Sequence, residues 1–228
     1  MTGLVASEWL KTRSLRSTWW SAALTVAAVL VAAAIDRDGV FPLAGYLVLI
    51  VAATSSGAAS MVGEYASGLI RATAVAVPAR SHVVLAKAVV QAAVWTVVGA
   101  LAAAGSLVVD GTVSVTPGEL SGAVLVGPVC AIVGLGLAVL LRQAGAVYVT
   151  GILLLVALPQ LLTGDNVVVR ALHHAMILPA WQRLTLAYGP AEAVGDLYTS
   201  AGAAWLSYLL WPIAVLGAAL VVHHRRDV

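Results

Sequence analysis

Two lysines, one cysteine and five histidines supply most of what 228 residues offer for side-chain chemistry. Neither Lys11 nor Lys87 follows a glycine-rich phosphate loop, so the chain holds no Walker A site. Cys130 stands alone, which excludes an intrachain disulfide and a cysteine-cluster metal site. His173 and His174 are adjacent, but neighbours on a helix point ~100° apart. No carboxylate lies at a useful spacing from them, so no metal site is expected. Hydrolysis by a Ser–His pair would have to join Thr54-Ser55-Ser56-Gly57 or Ser60, mid-span to inner, to histidines at other depths, His173 and His174 outside and His82, His223 and His224 in the cytoplasm, and no H-E-x-x-H run occurs. The residues argue against an enzyme.

Composition says where these residues must sit. The chain is 61% hydrophobic and 10% charged, with mean hydropathy +1.01. Soluble domains are about 45–50% apolar and roughly 25% charged. The formal charge of +2 is far too small for a phosphate-tracking surface, so nucleic acid is not an expected partner. The composition points to an integral membrane protein.

Asp, Glu, Lys and Arg are absent from six stretches: 19–35, 40–62, 88–109, 120–141, 145–162 and 203–222. Each approaches or exceeds the ~20 residues a helix needs to cross ~30 Å of hydrocarbon. None alternates as a membrane β-strand would. The expected fold is all-α: a single polytopic domain over residues 1–228 with six transmembrane helices. With the N-terminus inside, Lys11, Arg13, Arg16, Arg71, Arg80, Lys87, Arg142, Arg225 and Arg226 fall on the cytoplasmic side. Only Arg37, Arg170 and Arg183 fall outside, a positive-inside bias that puts both termini in the cytoplasm. The run after Lys11, Arg13 and Arg16 ends Ala32-Ala33-Ala34, as a signal peptide might, but it is long and five further spans follow. Cleavage is not expected.

The connectors carry the remaining signals. On a helical wheel Val5, Ala6, Trp9 and Leu10 gather opposite Ser7, Glu8 and Lys11. Residues 1–18 therefore read either as an amphipathic helix on the cytoplasmic surface or as an ordinary basic flank. Residues 63–87 form a cytoplasmic segment in which Glu64, Gly68 and Arg71 would share a helix face, with Gly68 admitting a close backbone neighbour. Pro78 should stop that helix and Ser81 cap the next. The plainer alternative is a solvated connector. Residues 163–202 form a long outer connection, apolar from Val167 to Tyr188 yet bearing Arg170 and Arg183. Pro179 and Trp181 there suggest short re-entrant or interfacial helices before the last span.

Polar groups inside the spans are hydroxyls and amides, which usually bond between helices. Thr54, Ser55 and Ser56 are consecutive and cannot all face one neighbour, so some should face a cavity or a partner. Pro42, Pro128, Pro159 and Pro212 would each remove a helix hydrogen bond. No charged residue lies mid-span to relay protons.

Two runs carry a family resemblance. Ser7-Glu8-Trp9-Leu10-Lys11-Thr12-Arg13-Ser14, then Arg16-Ser17-Thr18-Trp19, resembles the opening of small type-2 ATP-binding-cassette (ABC) permeases. Gly63-Glu64-Tyr65-Ala66-Ser67-Gly68-Leu69-Ile70-Arg71-Ala72-Thr73, with Pro78-Ala79-Arg80 and Ala86-Lys87, resembles that family's loop between spans two and three. The resemblance implies a permease subunit of an exporter in the plasma membrane, with a hydrophobic or amphiphilic drug, antibiotic, peptide or lipid as cargo. It implies a second permease copy, as a homodimer, and a cytoplasmic ABC ATPase as partners. ATP and Mg would sit on that ATPase, and no cofactor on this chain. Glu64, Tyr65, Gly68, Arg71 and Arg80 become ATPase-coupling residues, and Glu8, Trp9 and Lys11 mark the interfacial helix. Spans two and five would line the path, which makes Thr54, Ser55, Ser56 and Pro159 pathway candidates. Two rival readings are a membrane-embedded immunity or binding protein that works without ATP, and an intramembrane enzyme.

Overall fold

The computed structural model describes residues 2–36, 40–68, 80–111, 115–162, 164, 166–194 and 198–225. Among them there is no strand. Backbone polar groups in hydrocarbon have to be satisfied within the chain segment, and in a run of Ala, Val and Leu only a helix does that. The helices are α1 (Thr2–Ser14), α2 (Arg16–Ile35), α3 (Leu43–Ser67), α4 (Arg80–Asp110), α5 (Pro117–Leu141) and α6 (Ala144–Leu161). The short α7 (Val167–His174), α8 (Ile177–Leu184) and α9 (Ala191–Val194) follow, and α10 (Ala201–Arg225) closes the described chain. Six of them, α2 to α6 and α10, are long and apolar enough to cross a membrane. The chain is thus consistent with a multi-pass membrane protein.

The centre of the bundle is α5, whose most apolar window is 72% buried, against 22% in each of α2, α6 and α10. It packs on α3, α4 and α10. Small residues make this possible, because a Cβ at Gly57 would overlap the Ala131 carbonyl and one at Gly134 the Thr54 carbonyl. Here α3 and α5 touch backbone to backbone, the close packing that small residues allow between helices in lipid. The outward faces of α2 and α10 expose Trp20, Leu24, Leu209 and Ile213, side chains suited to hydrocarbon.

Helix ends follow local chemistry. Thr116 caps α5, its hydroxyl accepting from the Glu119 amide at 3.3 Å and donating to the Glu119 carboxylate at 2.8 Å, with Pro117 in the first turn. Pro42 is the residue before α3 and so removes no helix bond, unlike Pro128 within α5 and Pro212 within α10. In α6 a π-helical turn, Leu153–Ala157, precedes Pro159. The Pro159 carbonyl accepts a bond of 3.0 Å from His173 Nδ1, so that ring nitrogen carries the proton.

The segment 63–87 is not a plain connector at either end. Residues up to Ser67 continue α3, and α4 starts at Arg80. Gly68 ends α3 with φ 71°, its amide bonded to the Tyr65 carbonyl, and a Cβ there would meet nothing within 4 Å. Glycine is needed at this point for the left-handed turn, and among the described residues it has no close neighbour. Glu64 thus lies on the last turn of α3 and Gly68 at its cap. Ser81 lies inside the first turn of α4, not at its cap. Arg71 and Pro78 lie outside the described residues.

In the connection before α10, α7 and α8 form as separate short helices. The second, α8, is almost wholly buried and packs chiefly on α10 and α5. Trp181 stacks on Tyr46 of α3 with ring centroids 4.9 Å apart. The polar members of α8 find partners in the same connection. Arg183 Nε donates to the Thr199 carbonyl at 2.9 Å, and Gln182 Nε2 to the Tyr188 hydroxyl at 3.0 Å.

Candidate functional site

At the end of the bundle where α1, the last turn of α3 and the early turns of α4 meet, both lysines of the chain join two glutamates. Lys87 Nζ lies 2.6 Å from Glu8 Oε2 and 2.8 Å from Glu64 Oε1. Lys11 Nζ lies 2.6 Å from Glu8 Oε1 and 3.0 Å from the same Glu64 oxygen. The four charges sum to zero and tie together three helices far apart in sequence. Lys87 is only 3% exposed, whereas about half of the Lys11 side chain is open. Glu64 Oε2 is buried and makes no hydrogen bond among the described residues.

The buried residues of α1 are polar, and the exposed ones include apolar side chains. Glu8 and Thr12 are its buried residues, and Thr12 Oγ1 donates to the Glu8 carbonyl at 2.9 Å. Trp9 and Leu10 point outward. A charged stripe beside an apolar one is therefore no guarantee of a water-facing side when a counter-charge waits on the neighbouring helix. Lys87 is not a solvated connector charge. It lies about 10 Å into α4, by helix rise, within the run Val83 to Val90. A lone lysine flanked on both sides by apolar residues is the signal that it is buried and needs partners.

Burial by itself would lower the Lys11 pKa, but its hydrogen bonds to Glu8 and Glu64 and their negative charge outweigh that and hold it above 10.5. A raised lysine pKa contributes its stability in full below the unfolded value and loses it as pH rises through the folded one. Lys11 is therefore expected to hold α1 against the bundle from about pH 7 to about pH 10 and to release it only at higher pH. A dye on Gly3→Cys tests this by fluorescence anisotropy. A fall in anisotropy between about pH 7 and about pH 9 would contradict the assignment.

Beside the cluster, Arg142 ends α5 in the left-handed region at φ 55°, and its guanidinium lies 5.5 Å from the centre of the Tyr65 ring. This cation–π contact ties the ends of α3 and α5 together. Tyr65 is thus part of the packed end of the bundle, next to Glu64.

A cavity of about 650 Å³ opens from the ion cluster and runs between α1, α2, α3, α4 and the start of α6. Glu8, Lys11, Glu64 and Lys87 form one end. Ser55 and Ser56 lie on its wall further in, and Ser56 Oγ donates to Gln91 Oε1 of α4 at 3.2 Å. Thr54 faces away from it. Its hydroxyl donates to the Ile50 carbonyl at 2.7 Å, and its backbone forms the α3–α5 seam against Gly134. Pro159 is also elsewhere, about 16 Å along α6 from Tyr148 by helix rise, and Tyr148 does line the cavity.

Of the expected site residues, the fold therefore brings Glu8, Lys11 and Glu64 into one cluster and Ser55 and Ser56 onto the adjoining wall. It leaves Thr54 in a packing seam and Pro159 apart. Trp9 faces out, Gly68 is a helix cap, and Arg80 is the first residue of α4. Lys87, Gln91 and Tyr148 complete the site and were not singled out for it from sequence. No family model matches the sequence, and neither a curated protein nor a solved structure matches the chain.

Proposed function

We propose that this chain is the transmembrane permease subunit of an ABC exporter in the plasma membrane. It would couple ATP hydrolysis on a separate cytoplasmic subunit to export of a hydrophobic or amphiphilic substrate. The observation that carries the reading is the four-charge cluster. It ties α1 to the end of α3 and the start of α4, the two described ends of the segment 63–87 that resembles the family's loop between spans two and three. A push at that stretch would be delivered to two membrane helices and a surface helix together. In this mechanism the helices have two packings, and nucleotide-dependent contact biases the choice between them. Chemistry on this chain is not required.

Glu64→Gln and Arg71→Ala are expected to abolish export in a cell-based efflux assay while the protein still reaches the membrane. Glu64→Gln keeps the shape of the side chain and leaves Glu8 with both lysines, so insertion should survive it. Wild-type efflux by both variants would overturn the coupling assignment.

A second reading is favoured by the cavity, whose walls come from five helices of this chain. On that reading the protein is a membrane-embedded binding or immunity protein. Protection of cells that persists when ATP-binding-cassette ATPases are disabled would select it.

A further inference from the structure

Ser17, Thr18, Ser21, Ser55 and Tyr148 all line the cavity, and their side chains make no hydrogen bond among the described residues. Thr18, Ser21, Ser55 and Tyr148 are half-buried and Ser17 is exposed, so their hydroxyls stay open to bond an occupant of the cavity. Ser17, Thr18 and Ser21 come from the first turns of α2, Ser55 from α3 and Tyr148 from α6, so three helices contribute. Along α3 the wall from Glu64 to Ser55 is about 14 Å deep, close to half the hydrocarbon thickness of ~30 Å. The volume of about 650 Å³ suits one drug-sized molecule.

The charges decide what kind of molecule. Each lysine at the mouth is bonded to both glutamates, and the four sum to zero. An ionic headgroup of either sign would have to compete for a charge that is already neutralised and, at Lys87, buried. Hydroxyls, by contrast, both donate and accept, and match another set of hydroxyls.

We propose that this cavity binds an uncharged, polyhydroxylated amphiphile. Its headgroup hydroxyls bond to Ser17, Thr18, Ser21, Ser55 and Tyr148, and its alkyl part lies against the apolar remainder of the wall. The occupant is either a lipid with a sugar or glycerol headgroup drawn from the bilayer or a soluble amphiphile of the same chemistry. The inference deepens the exporter reading by naming a substrate class, and it rests on that reading only for the step that moves the occupant.

Binding is therefore tested without ATP, on the full chain in phosphatidylcholine nanodiscs. The probe is octyl glucoside carrying a photoreactive diazirine, with cross-links mapped by mass spectrometry. Competitors of equal chain length are octyl glucoside, octyl sulfate and octyltrimethylammonium. The expected result is saturable labelling of 14–21 and 55–60, displaced by octyl glucoside at about tenfold lower concentration than by either ion. The triple variant Ser21→Ala, Ser55→Ala, Tyr148→Phe should weaken labelling by about tenfold or more while adding no bulk. Ser55→Leu, which fills the cavity, should block it. Equal displacement by all three competitors, unsaturable labelling spread over the outward faces of α2, α6 and α10, or complete protection of the site by a second copy of this chain would overturn the proposal. An uncharged glycolipid or glyceride recovered with the purified chain supports it and marks the membrane as the source. Displacement by the added probe alone supports it with a soluble source. Loss of ATP-dependent efflux with labelling intact would count against the exporter reading only, and the reverse against this site only.

Discussion

Replacing Lys87 with methionine is expected to unfold the α1 end of the bundle. The ammonium touches both Glu8 and Glu64 and is almost fully buried. Removing it leaves two carboxylates close together with only the half-exposed Lys11 between them. Breaking a buried ionic cluster by deleting one partner costs roughly 3–5 kcal/mol, because the charge left behind is uncompensated. A large share of an ordinary domain's net stability of about 5–15 kcal/mol is of that size. The measurement is the thermal midpoint of the detergent-solubilised protein, read by loss of the monodisperse peak on size exclusion. Lys87→Met should lower it steeply. Adding Glu64→Gln to Lys87→Met should restore part of the loss, since it removes one of the stranded charges. A Lys87→Met protein as stable as wild type would mean that the cluster does not hold the three helices.

The second large effect belongs to the α3–α5 seam. Ala at Gly57 or Gly134 places a methyl on a backbone carbonyl of the facing helix, which has no rotamer by which to move away. The helices have to separate, and the loss spreads along the best-packed interface of the fold. Overpacking of this kind costs about 1–3 kcal/mol per site, and occasionally more. Gly57→Ala with Gly134→Ala should therefore lower the thermal midpoint well beyond either change alone. Gly217→Ala in α10 is the control, because a Cβ there meets nothing within 4 Å. By helix propensity it should be neutral or stabilising by up to about 1 kcal/mol. Equal tolerance at all three positions would contradict the close approach.

The six long helices were legible because unpaired charge is so costly in hydrocarbon that its absence marks a span. The uncharged stretch 19–35 becomes α2, Arg16–Ile35, and 120–141 becomes α5, Pro117–Leu141. The same logic fails where charges are paired. The stretch 40–62 was cut at Glu64, yet α3 runs on to Ser67, and 88–109 was cut at Lys87, yet α4 begins at Arg80. Glu64 and Lys87 neutralise each other, so each helix carries its charge inside instead of ending at it.

That pairing is also why half of the site was hidden. Glu8 and Lys87 are 79 positions apart, and no local period relates them. The burial of α8 escaped for a similar reason. Arg183 and Gln182 argued against a seventh span, and the Thr199 carbonyl and the Tyr188 hydroxyl, further along the same connection, satisfy them inside the packed bundle. Of the three hydroxyls at 54–56, the expectation that they would diverge was met by Thr54 bonding to its own helix and Ser55 and Ser56 facing the cavity. Which one would go where depends on the α3–α5 seam, and the glycines of that seam lie on both helices.

The exporter account makes one demand that no rival shares: a second polypeptide must supply the ATPase. The most direct measurement is a gentle-detergent purification of the tagged full chain from its native membrane, with identification of what comes with it. The account predicts a soluble Walker-motif ATPase at near-equal stoichiometry, lost from Arg71→Ala. Recovery of this chain free of any such ATPase, repeatedly and in several mild detergents, would contradict it.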